Sequence, residues 1–323
     1  MSQQLVDRRD LDFVIWEQMQ AESLIGNDTY KEFNKKTCNM IITEARALAI
    51  KEMLPTLAEG DKQGVRFEKG DVKVPDCFHD AHKLILEGEW QSLPMDPEMG
   101  GQGAPGFVSA ACAEYFLSAN WALYTYTSMG NGTAKLIDLY GTPEQKKTYI
   151  PNIVAGKWGG TMLLTEPQAG SDVGALETTA KKNADGTYSL SGNKIFITNG
   201  EHDLCENIIH PVLARIEGDP PGTKGISIFI VPKYRVNDDG SLGARNDIVC
   251  TGVEEKHGIH GSATCSMAMG SKGACTGYLL GNAREGMKVM FNMINGARMS
   301  TGLQGMSYAS AAYMLAVNYA RER

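Results

Sequence analysis

Hydrophobic spacing changes twice along this 323-residue chain, and those changes constrain its fold more than any other feature. Up to about residue 158, apolar side chains recur at helical spacing. Between Gly159 and Gly281 the chain instead runs in short apolar stretches broken by Gly, Pro, Asn or Asp, which is a strand signature. From Asn282 the helical spacing returns. Many short strands with no helices between them predict a small barrel or sandwich. The expected fold class is therefore α+β. It comprises an N-terminal helical domain over residues 1–158, a middle β-barrel or sandwich domain over 159–281, and over 282–323 the first helix of a C-terminal helical bundle.

The elements inside this frame are predicted as follows. Glu32 to Leu57 carries Phe33, Ile41, Ala45, Leu48 and Ala49 at helical spacing, with Pro55 marking its end. Phe107 to Tyr126 is a second helix. Thr142-Pro143-Glu144-Gln145 opens a third, with an N-cap threonine, proline at the first helical position and glutamine where a capping box needs it. Tyr188–Ser191 and Lys194–Thr198 read as two strands turned by Gly192-Asn193. Strands at Ile208–Ile216, Gly225–Val231, Ile248–Val253 and Thr276–Leu280 follow. In the last part Met287, Phe291, Ile294, Gly302, Met306, Ala309, Tyr313 and Ala316 mark one face, expected to be buried. Arg298 falls on it and needs a partner. The final helix reaches Arg323 without a C-cap glycine, so a fragment of a longer protein, or a partner supplying the missing layer, is expected.

Composition narrows the function. A net charge of −7 argues against nucleic-acid binding and attachment to anionic membranes. No apolar run approaches a membrane span, and Met1 to Arg9 lacks the apolar core of a signal peptide. Seven widely spaced cysteines fit reduced thiols and a cytoplasmic location. Three motifs mislead. Gly101-Gln102-Gly103-Ala104-Pro105-Gly106 has the letters of a dinucleotide fingerprint, but no strand precedes it and Pro105 sits inside it. Ser191-Gly192-Asn193-Lys194 matches S-x-x-K without a helix to hold the pair one turn apart. His202, Cys205 and His210, with His257 and His260, lack the paired spacing of structural zinc.

The stretch Met162-Leu163-Leu164-Thr165-Glu166-Pro167-Gln168-Ala169-Gly170-Ser171-Asp172 joins the helical part to the strand-rich part. Pro167 and Gly170 shape a loop whose backbone can approach a flat ligand, and Thr165 and Ser171 offer hydroxyls and amides. An interdomain turn with satisfied caps is the plain alternative. The stretch resembles the T-E-P-x-x-G-S-D signature of acyl-CoA dehydrogenases, a flavoprotein family. Lys194-Ile195-Phe196-Ile197-Thr198-Asn199-Gly200 is similar to that family's K-x-W-I-T-N-G. Gly258 to Thr264 and Asn295-Gly296-Ala297-Arg298 fit the same family, and the resemblance covers nearly the whole chain. Gly200-Glu201-His202-Asp203, the Gly258–Thr264 run and Gln304-Gly305 look most like the 3-methylmercaptopropionyl-CoA dehydrogenase branch, whose N-terminal helical extension Asp10–Met19 would match.

The resemblance implies FAD as cofactor, acyl-CoA as substrate, electron-transfer flavoprotein as acceptor, and a homo-oligomer. It implies that Met162, Leu164, Thr165, Gly170 and Ser171 line the flavin, with Thr165 on the pyrimidine side and Ser171 also facing CoA. Phe196 and Ile197 would lie against the ring system and Thr198 beside it. Phe196 stands where the family usually has Trp. Arg298, and more weakly Asn295, would meet the CoA moiety. Some members carry the catalytic Glu just before this Arg, where this chain has Ala297, so the base is expected beyond Arg323 and the chain alone is expected to be inactive. The same resemblance leaves open an acyl-CoA oxidase. A short form that binds FAD or CoA without chemistry also remains open. Leu123, Tyr124, Tyr126 and Met129 are the expected determinants of acyl-pocket depth.

Overall fold

The computed structural model describes residues 4–273 and 275–323. Met1 to Gln3, part of the stretch read above for a signal segment, lie outside them. The first part is built from α1 (Arg8–Asp12), α2 (Lys35–Leu48), α3 (Pro55–Gln63), a hairpin of β1 (Arg66–Glu68) and β2 (Asp71–Lys73), α4 (Phe78–Glu87), α5 (Gly106–Tyr140) and α6 (Pro143–Val154). Next come β3 (Trp158–Gly160), β4 (Thr179–Lys182), β5 (Tyr188–Thr198), β6 (Asn207–Ile216), β7 (Ile226–Pro232), β8 (Tyr234–Val236), β9 (Leu242–Arg245), β10 (Ile248–Val253), β11 (Thr264–Met269) and β12 (Cys275–Leu279). A single long helix, α7 (Gly286–Glu322), ends the chain. Among the described residues no helix is long and apolar enough to cross a membrane.

The strands close on themselves. β5 pairs with β12, β12 with β7, β7 with β6, β6 with β4, and β4 with β5 again, which makes a barrel. Tyr188, Leu190, Val212, Phe229 and Val231 fill it, each nearly or wholly buried. The far half of β5 leaves the barrel and pairs with β11, which pairs in turn with β10.

The sequence pattern misplaced several boundaries. Gly192-Asn193 does not turn a hairpin. β5 runs unbroken through both residues, and Gly192 marks the point where it passes from β12 and β4 to β11. A side chain there would strike Thr178 at 2.4 Å, so the glycine serves close packing rather than a turn. Pro55 does not end the helix predicted over Glu32–Leu57. The helical backbone runs on through a π-helical turn at Ala49–Met53, and Pro55 takes the first position of α3. The capping box at Thr142 and Gln145 forms as read.

The second helix is also longer than predicted, because α5 contains its own joint. Asn120 has extended dihedrals (φ −163°, ψ 93°) in the middle of the helix. Its Oδ1 accepts from the Leu123 N–H at 3.1 Å, so it caps the second half, and its Nδ2 donates to Thr56 Oγ1 at 2.8 Å. Asn120→Ala is expected to cost about 2 kcal/mol in urea unfolding, from a lost cap and a lost buried hydrogen bond to Thr56, whose hydroxyl keeps its own bond to Met53 O. A cost near zero would show that the joint holds without its side chain.

α7 packs on α5 and β7 and buries Val289, Met290, Met293, Ser307 and Met314. The predicted stripe is not its buried face: Phe291, Met306 and Tyr313 are exposed. Both faces of the helix carry apolar residues, so spacing alone could not choose between them. Arg298 is accordingly exposed rather than buried, and its guanidinium lies 5.9 Å from the centre of the Phe291 ring.

Candidate functional site

The two signature stretches meet in space. Leu163 uses both its backbone groups on β6: its N–H donates to Pro211 O and its carbonyl accepts from Leu213 N–H. Because backbone direction alternates along an extended chain, the polar groups of its neighbours Met162 and Leu164 point away from the barrel. β5 then reaches across. Between Lys194 and Ile197 its register with β11 slips by one residue, so Ile195 and Phe196 face Ser266 together in a β-bulge. The bulge frees the Ile195 N–H, which donates to Thr165 O at 2.9 Å.

Phe196 is the residue the bulge re-aims. Its φ is +60°, in the left-handed region that bulky residues avoid, and the residue is 58% exposed. The reversal turns Ile197 inward, 2% exposed, so its side chain belongs to the core and only its backbone is offered outside. Thr198 is partly exposed beside Phe196. Asn199 locks the end of the strand, donating from its N–H to Ala263 O and from Nδ2 to Thr125 O of α5.

Beneath the loop sits an ion pair that the sequence reading missed, although both residues lie inside the quoted motifs. Lys194 Nζ is 2.7 Å from Glu166 Oε1 and donates to the Leu164 carbonyl at 2.9 Å. Glu166 also accepts from the Thr178 N–H and hydroxyl, the Glu177 N–H and the Gln168 amide. Burial pushes the Glu166 carboxyl up, but Lys194 and these hydrogen bonds hold it below its ordinary range. Burial pushes Lys194 down to about 8, with Glu166 opposing, so it stays charged at neutral pH.

The outer face of this assembly presents donors and hydroxyls. Among the described residues, the Leu164 and Thr165 N–H groups and the Thr165, Ser171 and Thr198 hydroxyls have no hydrogen-bond partner. Met162, Leu164 and Thr165 are half-buried, whereas Gly170 and Ser171 are exposed. A Cβ on Gly170 would meet nothing nearer than the Thr165 methyl at 4.0 Å, so the protein's own packing does not demand glycine there. Asn295 and Arg298 are exposed on α7, and no hydrogen bond or ion pair joins them to this loop among the described residues.

Other expected residues have different tasks. The Tyr126 hydroxyl donates to Gly261 O and accepts from the Ala263 N–H, which ties α5 to the 258–264 segment. Leu123 is fully buried, while Tyr124 and Met129 remain partly exposed. The zinc candidates do not assemble, and among the described residues no group of three or more His, Cys, Asp or Glu could hold a metal ion. His210 Nδ1 instead pairs with Thr161 Oγ1 at 2.9 Å, and His202 Nδ1 accepts from the Leu204 N–H. The Gly101–Gly106 stretch is a loop leading into α5, with no strand before it.

Comparison with known proteins bears on this geometry. Residues 35–157 match the model of the acyl-CoA dehydrogenase N-terminal domain, and residues 161–271 match that of the middle domain. The 3-methylmercaptopropionyl-CoA dehydrogenase of Ruegeria pomeroyi is 38% identical over 98% of this chain and 53% of its own length. A broad-specificity linear acyl-CoA dehydrogenase of Mycobacterium tuberculosis is 38% identical over 98% of this chain and 52% of its own. The chain thus spans about half the length of these curated relatives. Among solved structures, an acyl-CoA dehydrogenase from Bacillus anthracis complexed with FAD superposes with a TM-score of 0.72 at 28% identity, over 91% of this chain and 45% of that one.

Proposed function

The chain belongs to the acyl-CoA dehydrogenase family, and from that premise we propose that it carries the flavin-facing part of an FAD-dependent α,β-dehydrogenation of an acyl-CoA thioester. One observation carries the reading: the Ile195 N–H to Thr165 O bond, with the Lys194–Glu166 pair beneath it, joins the two signature stretches into one surface. The unpartnered donors of Leu164 and Thr165 suit the acceptor edge of an isoalloxazine, and the exposed Phe196 ring suits its face. When bound, FAD would accept the β-hydride of the acyl chain.

In this reading Met162, Leu164, Thr165, Gly170, Phe196, the Ile197 backbone and Thr198 hold the flavin, and Ser171 stands between flavin and CoA. Arg298 offers a permanent cation to the CoA moiety, with Asn295 one helical turn away. Ala297 cannot accept the α-proton, and we place the base outside these 323 residues. Electron-transfer flavoprotein is the proposed acceptor, a homo-oligomer the proposed assembly, and the cytoplasm the proposed compartment.

Flavin fluorescence titration tests the reading. FAD added to the chain is expected to be quenched saturably, and a short acyl-CoA added afterwards is expected not to bleach it. Absence of quenching would sink the proposal. Phe196→Gly separates the roles of that residue. Glycine suits the left-handed bulge, so urea stability should rise by about 1 kcal/mol. The ring contact is lost at the same time, so FAD affinity should fall roughly tenfold. A variant that loses both properties would show that the ring serves the fold instead.

A further inference from the structure

Glu166 and Lys194 form the most deeply buried ion pair among the described residues, with side chains 2% and 0% exposed. Apolar residues of similar volume often replace such a pair without loss of stability, so stability alone is a weak account of it. Glu166 is also a poor candidate for proton transfer, because five donors already occupy its oxygens.

The pair acts on the polarity of the loop. Leu164 and Thr165 together carry two carbonyls, and β5 takes both, one through Lys194 Nζ and the other through the Ile195 N–H. What remains unpaired at these two residues is donors: two N–H groups and a hydroxyl that can turn to donate. A free carbonyl at Leu164 would face an acceptor-rich ligand edge and lose its water on binding without gaining a partner. Resting on the flavin reading above, we propose that Lys194, held charged by Glu166, is a positioning residue. It withdraws the Leu164 carbonyl from the ligand face and so leaves Leu164 and Thr165 as a donor-only pair for the acceptor side of an isoalloxazine. Neither side chain needs to touch the ligand for this.

The test compares wild type with Lys194→Met, Lys194→Met/Glu166→Leu and Lys194→Arg. FAD and riboflavin are the probes, read by flavin fluorescence, with urea melts alongside. The double replacement removes the pair without stranding a charge, so it separates folding from positioning. It is expected to melt cooperatively but below wild type, because the Thr178 and Glu177 donors lose their acceptor, and to bind both flavins at least tenfold more weakly. Lys194→Arg, which keeps a charged donor at the Leu164 carbonyl, is expected to bind within threefold of wild type. A double variant that binds both probes within twofold of wild type overturns the inference and leaves the flavin reading standing. Should that variant not melt cooperatively, Lys194→Met in its folded state decides by the same thresholds. A wild-type chain that takes up neither probe overturns the flavin reading, and the inference with it.

Discussion

Folding stability is expected to fall by about 4 kcal/mol or more between pH 7 and pH 5. Two imidazoles set this figure, and a third adds to it in the same direction. Burial, with His79 nearby, pushes His82 down to about 4. Burial, with Lys233 and Arg245, pushes His210 down to about 3. Burial, with His82, Lys233 and His210 around it, holds His202 well below the ordinary histidine range. His82 and His210 are neutral in the folded chain at pH 5 and protonated once unfolded, because the unfolded value is about 6.5. The folded values are depressed, so the stabilisation is complete above about pH 6.5 and drains away as pH falls toward the folded values. His82 and His210 each lose about 2 kcal/mol by pH 5, and His202 shifts stability in the same direction. Urea midpoints at pH 7, 6 and 5 measure the effect, and the slope should correspond to about two protons or more taken up on unfolding. His210→Gln should lower that uptake by one. A flat profile would mean that the folded state already accommodates charged imidazoles at these sites. The consequence reaches the signature loop, since His210 holds Thr161 at the root of residues 162–172.

Lys194→Met alone is expected to cost about 4 kcal/mol, since it strands a buried carboxylate. Adding Glu166→Leu should recover part of that loss, because no charge is then left without a partner, although the Thr178 and Glu177 donors lose their acceptor. A double-mutant cycle on urea stabilities should give a coupling energy of about 2 kcal/mol or more. The exposed pair of Lys146 and Asp138, at 3.3 Å, is the control and should show less than about 1 kcal/mol. Equal couplings at the two sites would mean that water reaches the Lys194 pair freely.

The order of helices, strands and helix was legible because spacing reports which side of an element is wet. The capping box at Thr142 was legible because every partner lies within four residues. Long-range packing was not. Gly192 resembles a turn residue, yet the pressure on it comes from Thr178 in a neighbouring segment. The buried side of α7 could not be chosen, because what decides it is α5, more than 150 residues earlier. In the site, hydroxyls and aromatics drew attention as ligand groups. Glu166 and Lys194 stand 28 residues apart, and nothing local marks them as partners. The bulge that exposes Phe196 and hides Ile197 is a property of pairing with β11, which no single-strand pattern contains.

The joint at Asn120 gives α5 two histories in one helix. The half before it packs near α2 and the N-terminal segment, whereas the half after it reaches β3, α6 and, through Tyr126, the 258–264 segment. One extended residue resets the rotational phase between the halves. A substitution that turns the first half about its axis therefore need not turn the second. The outer helical layer can be remodelled while the register that seats the 162–172 loop stays as it is.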